Sequence, residues 1–270
     1  MPELPEIETI KRGILELKNQ IITNTIVRNG NLRYPLTQEI AKKLIGQKIL
    51  SISRRAKYLV FTLTKGYLVI HLGMSGTLRI INIKDVNEIK KHDHVDIVFS
   101  NLALRYNDPR RFGCILYTQD YKSHPIFILL GVEPLTANFN AKYLYNKLQN
   151  RTSAIKQLIM DNSIVVGVGN IYASEALFMS RISPLRSGAS INYNELEILV
   201  KCIKQVLTNA IKKGGSTLRD YRNADGELGY FQNSHLVYNK VGTLCVICNT
   251  AIKSIRLGQR NSFYCPSCQK

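Results

Sequence analysis

The chain has 270 residues, of which 45% are hydrophobic, so it is long enough to bury more than one core. It contains neither an apolar run of the roughly 18 residues that a membrane span requires nor a signal-peptide core. We therefore expect a cytoplasmic protein. The 37 Lys and Arg against 19 Asp and Glu give a formal net charge of +18. Because these cations are spread along the chain instead of lying on one amphipathic helix, they favour nucleic acid over a membrane surface as the partner.

The chain opens with Met1-Pro2-Glu3-Leu4-Pro5-Glu6. If Met1 is removed, Pro2 becomes a terminal secondary amine, and an α-amino group titrates near pH 8, so much of it is nucleophilic at neutral pH. With a carbonyl or a sugar anomeric carbon, such an amine forms a positively charged iminium, and Glu3 supplies a neighbouring carboxylate. The alternative is an ordinary Met-Pro start in which Pro5 merely opens a helix.

Apolar spacing predicts an amphipathic helix over residues 5 to 18, followed by short strands rich in Ile, Val, Tyr and Thr. One helix, over residues 37 to 45, interrupts the strands. Eight short strands are typical of a sandwich or a barrel. We predict them at residues 21–28, 48–53, 57–63, 67–72, 77–81, 95–99, 102–106 and 114–117.

Three loops among these strands carry unusual side chains. The first is the basic run from Arg54 to Lys57, which suits a phosphate, although such runs are often solvated surface. The second places Met74 between glycines, where a projecting side chain can act as a wedge between bases. The third carries Arg110 and Phe112, which can enter a base stack, unless Phe112 returns to the core.

A further motif, His92-Asp93-His94, resembles a metal-binding pair. With Asp96 nearby and with strand spacing, we interpret it as a phosphate contact and a structural pair.

Strand signals end around residues 131 to 136, and four helical patterns follow. The glycine-framed turn from Val166 to Ile171 leads into the third of these helices, where free backbone N–H groups form a possible phosphate cradle. Residues 215–234 show no apolar periodicity and predict a long loop of the kind that often forms a lid.

Four cysteines form two C-x-x-C pairs that are sixteen residues apart, namely Cys245, Cys248, Cys265 and Cys268. Four thiolates at this spacing predict one tetrahedral Zn²⁺ site, and a reducing compartment favours a metal over disulfides. We expect Cys114 and Cys202 to be buried as small hydrophobic residues.

Together these motifs resemble the bacterial formamidopyrimidine-DNA glycosylases from end to end. The matching segments are PELPE at 2–6, RRAKY at 54–58, HLGMSG at 71–76, KHDHVD at 91–96, DPRRFG at 108–113, MDN at 160–162, VGVGNIYASE at 166–175 and GQR at 258–260 with the cysteine pairs. The resemblance implies an α+β multidomain fold with an N-terminal β-sandwich and its N-terminal helix, a helix-two-turns-helix domain and a C-terminal zinc ribbon. The expected limits are 1–131 for the catalytic sandwich, 132–134 for a linker, 135–234 for the DNA-binding helices with a lesion-capping loop at 215–234, and 235–270 for the zinc-ribbon hairpin.

The family's chemistry, carried over by matching motif, makes Pro2 the nucleophile at C1′ of the damaged nucleotide and Glu3 the acid/base. Lys57 would assist β-elimination and Arg260 δ-elimination. Glu6 would support the lesion pocket. The DNA contacts implied by the resemblance are His92, Arg110, Lys156, Asn170 and Arg151, with Met74, Arg110 and Phe112 filling the void that a flipped base leaves.

The expected activity is base-excision repair by a DNA glycosylase with abasic-site lyase activity. Its partner would be double-stranded DNA containing oxidised purines or abasic sites, and Zn²⁺ would be structural. We expect a monomer in the bacterial cytosol, associated with the nucleoid. Two alternatives stay open: the related endonuclease VIII type, which favours oxidised pyrimidines, and a zinc-ribbon DNA-binding regulator without catalysis.

Overall fold

The computed structural model describes residues 2–216 and 234–270, which divide into two compact units. The first unit comprises residues 2–128 and 213–216, and the second comprises 129–212 and 234–270. Apart from residues 215, 216 and 234, the predicted lesion-capping loop lies outside the described residues. The domain limits given above stay a prediction.

The first unit begins with helix α1, Leu4–Gly13. Glu3 precedes it as the N-cap residue, and Pro5 lies in the first turn, where a missing N–H costs no hydrogen bond. The predicted helix over residues 5 to 18 is too long, because α1 ends at Gly13 and a separate 3-10 turn, Leu15–Leu17, follows. Glycine and the β-branched Ile14 are weak helix formers, which accounts for the break.

Two four-stranded antiparallel sheets form the body of the first unit, and all eight predicted strands are present. One sheet has the order β1-β6-β7-β5 and the other has the order β2-β3-β4-β8. The strand bounds are β1 Asn24–Val27, β2 Ile49–Arg55, β3 Tyr58–Leu63, β4 Tyr67–His71, β5 Thr77–Asn82, β6 Asp93–Val98, β7 Leu102–Asn107 and β8 Cys114–Thr118.

A single hydrophobic core joins the two sheets and α1. Phe61 comes from one sheet, Leu104 from the other, and Ile10 from α1, and each is at most 1% exposed. The predicted N-terminal sheet domain is therefore confirmed. Helices α2, Gln38–Leu44, and α3, Pro125–Ile128, and a 3-10 turn, Ile83–Asp85, lie in the connections.

The second unit contains helices α4, Ala141–Leu148; α5, Ile155–Ile159; α6, Asn170–Met179; and α7, Tyr193–Lys212, with a 3-10 turn at Gly188–Ser190. Helix α6 is buried on nearly all sides, whereas α7 buries one apolar stripe against α6 and α4. These are the four helices that the sequence predicts in this region. Cys202 on α7 and Cys114 on β8 are both buried, as expected.

The C-terminal hairpin consists of β9, Lys253–Leu257, and β10, Arg260–Tyr264, which pair antiparallel. Gly258 occupies the turn with a φ of 59°. A small core formed by Phe178 of α6 with Val237 and Phe263 attaches this module to the helices. The predicted zinc-ribbon hairpin is confirmed in its fold. Within the described ranges, no helix combines the length and the apolarity needed to cross a membrane.

Candidate functional site

The opening segment is buried and held by the carboxylate of Glu6. Glu3 and Glu6 are 3% and 2% exposed. The Glu3 N–H donates to Glu6 Oε2 at 2.8 Å, and the Ser216 N–H donates to Glu6 Oε1 at 2.8 Å. The Glu6 carboxylate therefore holds both the start of α1 and the backbone of Ser216 in place. The positive end of the α1 dipole lies at Pro2 and Glu3.

Lys57 lies in the two-residue turn between β2 and β3 and is 8% exposed. Ala56 takes up a left-handed conformation there, with a φ of 54°. Arg54 Nη1 donates to the Ala56 carbonyl at 2.8 Å, while its Nε donates to Glu8 Oε2 of α1 at 3.0 Å. This pairing holds the turn that carries Lys57 against α1.

His71, at the end of β4, is a site residue that the sequence reasoning did not single out, although it opens the HLGMSG motif. Burial, together with the charges of Lys57 and Arg33, lowers the pKa of His71 to about 4. The Gly73 N–H donates to His71 Nδ1 at 3.0 Å. The ring is therefore neutral at physiological pH and carries its proton on Nε2.

The loops that carry Met74 and Phe112 lie side by side. Met74 is 43% exposed and Phe112 is 49% exposed, so Phe112 does not return to the core. The Arg110 guanidinium carbon lies 4.6 Å from the centre of the Phe112 ring. A Cβ added to Gly73 would come within 2.5 Å of the Gly113 nitrogen, which shows how closely the two backbones approach. The structure thus brings together the two loops that carry the three predicted void-filling side chains.

The His92-Asp93-His94 stretch does not form a metal pair, because both neighbouring carboxylates are paired with arginines. Asp93 and Asp96 contact Arg105 at 3.4 and 2.8 Å. Burial alone would raise the pKa of Asp96, but hydrogen bonds and charge from Arg105 and Arg28 outweigh it and hold the pKa below its usual value. Arg105 also donates to the Val86 and Glu88 carbonyls, both at 2.6 Å, which anchors the loop leading to His92.

Lys156, a predicted DNA contact of the second unit, is buried, at 2% exposure. Its Nζ donates to Asn170 Oδ1 at 2.7 Å, to Ser262 Oγ at 3.0 Å and to the Asn261 carbonyl at 3.3 Å. Asn170 also donates to the Asn261 carbonyl, at 3.1 Å. Lys156 therefore links the start of α6 to the hairpin strand β10.

A pocket of about 230 Å³ lies beside this link, and Lys156, Asn170 and Arg260 are among the residues that line it. Arg260 is exposed at the start of β10, and Arg151 is exposed on the loop before α5. Both are accessible to a phosphate.

The four cysteines of the C-x-x-C pairs converge, with their Sγ atoms all within 4.8 Å of one another. The Sγ atoms of Cys245 and Cys268 are 3.9 Å apart, and those of Cys248 and Cys265 are 3.5 Å apart. A tetrahedron with Zn–S bonds of about 2.3 Å has edges of about 3.8 Å, so the cluster fits one zinc ion. Four thiolates would leave no open coordination position, so the ion is structural.

Comparison with known proteins matches three family descriptions to this chain. Residues 1–115 match the formamidopyrimidine-DNA glycosylase N-terminal domain, 130–222 match its H2TH domain, and 242–270 match the zinc finger found in FPG and IleRS. The chain is 49% identical over 271 residues to the formamidopyrimidine-DNA glycosylase of Proteus mirabilis, covering 100% of this chain and 98% of that protein. The corresponding enzyme of Escherichia coli is 48% identical over 272 residues, with 100% of both chains covered. The chain belongs to the formamidopyrimidine-DNA glycosylase family.

Solved structures of Lactococcus lactis FPG share this fold. A variant in complex with a Fapy-dG containing DNA gives a TM-score of 0.92 at 32% identity, with 100% of both chains covered. A complex of the same enzyme with an abasic site containing DNA gives a TM-score of 0.90 at 32% identity, with 99% of both chains covered. As a member of the formamidopyrimidine-DNA glycosylase family, the protein is a base-excision repair glycosylase that acts on damaged DNA and has abasic-site lyase activity.

The roles of two residues in the formamidopyrimidine-DNA glycosylase motifs are visible only in the folded chain. His71 belongs to the HLGMSG motif, in which the sequence analysis considered only Met74. Asp108 belongs to the DPRRFG motif, in which it considered only Arg110 and Phe112. A signal was available for Asp108, since an Asp before a Pro and two residues before an Arg often caps a turn.

Proposed function

We propose that this glycosylase excises oxidised purines, namely 8-oxoguanine and formamidopyrimidines, from double-stranded DNA through an iminium formed at Pro2. The observation that carries the proposal is the geometry of the opening segment. Pro2 and Glu3 lie at the positive end of α1, and Glu6 holds the Glu3 N–H at 2.8 Å. A secondary amine and a carboxylate are thereby kept side by side.

In the proposed reaction, the Pro2 nitrogen attacks C1′ of the damaged nucleotide, and Glu3 assists departure of the base and opening of the sugar ring. The C1′–base bond breaks and a C1′=N⁺ iminium forms. Because the iminium withdraws electrons, C2′ loses a proton and the 3′ phosphate leaves by β-elimination. A second elimination releases the 5′ phosphate, so the product is a gapped strand. No oxidant or metal-activated water is needed.

Two cations would neutralise the leaving phosphates. We assign Lys57 to β-elimination and Arg260 to δ-elimination, with His92, Arg110, Asn170 and Arg151 as phosphate contacts. Lys156 was expected to touch DNA as well, but its ammonium donates to three acceptors of the protein. We propose that it orients Asn170 and β10, so that its contribution to DNA binding is indirect.

Base flipping is part of the proposal, because a glycosylase cannot reach the anomeric carbon inside a base stack. Flipping costs a few kcal/mol of stacking and pairing. Met74, Arg110 and Phe112 would fill the vacated space and offset part of that cost. Glu6 would support the lesion pocket by holding Ser216, from which the capping segment continues. We expect the protein to act on DNA as a monomer.

Borohydride trapping tests the covalent step. A duplex containing 8-oxoguanine and treated with the wild-type protein and borohydride should give a stable covalent protein–DNA adduct that has lost the oxidised base, whereas Pro2→Gly should trap at least tenfold less. Mass spectrometry of the wild-type chain should show that Met1 is absent, because an acylated Pro2 nitrogen is not nucleophilic. Absence of any adduct with wild type would also favour the alternative of a non-catalytic DNA-binding regulator.

Oxidised pyrimidines are a second candidate substrate class. The observation in their favour is that a Lactococcus lactis FPG structure, with a TM-score of 0.91 at 32% identity, is a complex with an oxidized pyrimidine containing DNA. Excision rates on matched duplexes containing 8-oxoguanine or thymine glycol separate the two classes. We expect the purine lesion to be removed at least tenfold faster, and equal or faster removal of thymine glycol would reverse the assignment.

A further inference from the structure

Asp108 is a completely buried carboxylate, at 0% exposure, in the turn that follows β7. It accepts four hydrogen bonds, two on each oxygen. Oδ1 accepts from Ser75 Oγ at 2.8 Å and from the Arg110 N–H at 3.2 Å. Oδ2 accepts from the Tyr106 hydroxyl at 3.0 Å and from the Gly113 N–H at 2.9 Å.

These four donors come from the two loops that present the void-filling side chains and from the strand beneath them. Ser75 follows Met74 directly in the first loop. Arg110 and Gly113 bracket Phe112 in the second loop. The Asp108 carbonyl in addition lies 2.8 Å from His94 Nε2 on β6, which attaches the turn to the sheet. A single side chain thus sets the spacing of both loops.

The hydrogen-bond pattern requires a carboxylate at this position. Each oxygen accepts one backbone N–H, from Arg110 on one side and from Gly113 on the other. A hydroxyl such as that of Ser75 can rotate and become an acceptor, but a backbone N–H can only donate. An Asn side chain has one acceptor oxygen, so its NH₂ group would face one of the two backbone donors in a buried site.

We propose that Asp108 is a positioning residue for base extrusion, which it assists by holding the Met74 loop and the Arg110–Phe112 loop in the arrangement that fills the void. This inference rests on the proposed function. Met74 and Phe112 are about half exposed. If their loops were not held before DNA arrives, the enzyme would have to order them on binding, at the expense of the free energy available for flipping.

The experiment compares two duplexes that differ only opposite the lesion. In one, 8-oxoguanine is paired with cytosine. In the other, it lies opposite a tetrahydrofuran abasic analogue, so no base pair has to be broken and no partner base is left behind. Single-turnover excision is measured for wild type and Asp108→Asn. We expect the variant to be at least tenfold slower on the paired duplex and less than threefold slower on the unpaired one.

Asp85→Asn is the matched control, because it makes the same chemical change at an exposed position of the same unit. It should leave both rates unchanged. Ser75→Ala tests the inference should Asp108→Asn fail to fold, since it removes only the bond from the Met74 loop. We expect it to slow excision about threefold on the paired duplex, with no effect on the unpaired one.

If Asp108 had a merely structural role, Asp108→Asn would slow excision from both duplexes by the same factor, and that result would overturn the proposal. The proposal would also be overturned if Asp108→Asn, or a folded Ser75→Ala variant, excised the lesion from the paired duplex at the wild-type rate. These outcomes leave the proposed function intact, because wild type still excises the lesion. A wild-type protein that neither excises 8-oxoguanine nor traps on it would overturn both.

Discussion

Backbone N–H groups hold several buried carboxylates among the described residues, including Glu6, Asp108 and Glu175. Glu6 accepts two of them and Asp108 accepts two, together with two hydroxyl groups. Glu175 on α6 accepts three, from residues 236, 237 and 238. Burial raises the pKa of Glu175, and the three donors only partly oppose this. Each carboxylate therefore fixes a chain segment by directional bonds, so that even a Glu→Gln change would alter local structure.

The neutral imidazole of His71 gives a prediction at the same scale. Its pKa of about 4 has burial as its main cause and the Lys57 charge as the next. Removing that charge in Lys57→Gln should raise the pKa of His71 while burial keeps it below about 6.5, its ordinary value. NMR titration of the imidazole protons measures this directly. Lys18→Gln, an exposed cation beyond α1, should leave the value unchanged.

The sign of the related stability effect follows from the direction of the shift. The unfolded chain binds this proton near pH 6.5, whereas the folded chain binds it only near pH 4. His71 therefore destabilises the fold progressively as the pH falls from 6.5 to 4 and contributes no penalty above that window. A wild-type His71 that titrates near pH 6.5 would contradict both expectations.

Among the elements, the loop from β4 to β5 is constrained by close backbone contact at Gly73. Gly73 has a φ of 60°, and a Cβ there would lie 2.5 Å from the Gly113 nitrogen and 2.6 Å from the Phe112 carbonyl carbon. Gly46 has a φ of 80° but no atom within 4 Å of its added Cβ. The two glycines therefore share a left-handed conformation and differ in the space around them.

This pair separates backbone strain from steric overlap. Gly46→Ala should lower the free energy of unfolding by about 1 kcal/mol, the usual cost of a left-handed conformation for a residue with a Cβ. Gly73→Ala adds overlap with immobile backbone and should cost about 3 kcal/mol or more. Urea unfolding of the two variants and wild type provides the measurement. Equal losses for the two variants would show that the loops can move apart at little cost.

Zinc binding by the cysteine cluster should stabilise the C-terminal hairpin. Cys265→Ser should reduce bound zinc from one ion per chain to well below one and weaken DNA binding at least tenfold, because Arg260 lies on the same hairpin. Metal analysis and binding to an abasic-analogue duplex check the two effects. Cys202→Ala, which changes a buried cysteine of α7 outside the cluster, is the control and should retain zinc. Full zinc content with unchanged affinity in Cys265→Ser would contradict the assignment.

For the whole molecule, the net charge of +18 is the dominant property. Its distribution is uneven: residues 234–270 contain no Asp or Glu, whereas they include Lys240, Lys253, Arg256, Arg260 and Lys270. A segment with this composition gains from releasing the counterions of a nucleic acid.

The salt dependence of DNA binding should report this charge. The logarithm of the association constant should fall steeply and linearly with the logarithm of the salt concentration, and Arg260→Gln should reduce the slope by about 0.9, the value for one phosphate contact on duplex DNA. Lys18→Gln should leave the slope unchanged. Fluorescence anisotropy between low and moderate salt measures both. An unaltered slope in Arg260→Gln would remove Arg260 from the phosphate contacts.

The accuracy of the sequence predictions differed between elements. The strands of the first unit were located to within a few residues, because enrichment in Ile, Val, Tyr and Thr is a local property of each strand. The first helix was extended by five residues too many, to residue 18 instead of Gly13, because Ile14 and Leu17 continue the apolar spacing in a 3-10 turn. Periodicity reports which residues are buried and does not report the hydrogen bonds that end a helix.

Pro2 and Glu3 at the start of a helix, the four cysteine ligands and the basic charge follow from the sequence alone, because each depends on neighbouring residues or on composition. Only the tertiary structure decided that Lys156 is buried against Ser262, 106 residues away, and that Asp108 joins the loop of Ser75, 33 residues away. The same holds for the neutral state of His71, which depends on burial and on Lys57 from another strand turn. Hydrogen bonds and desolvation between residues distant in sequence depend on how the strands and helices pack, and no local pattern encodes that packing.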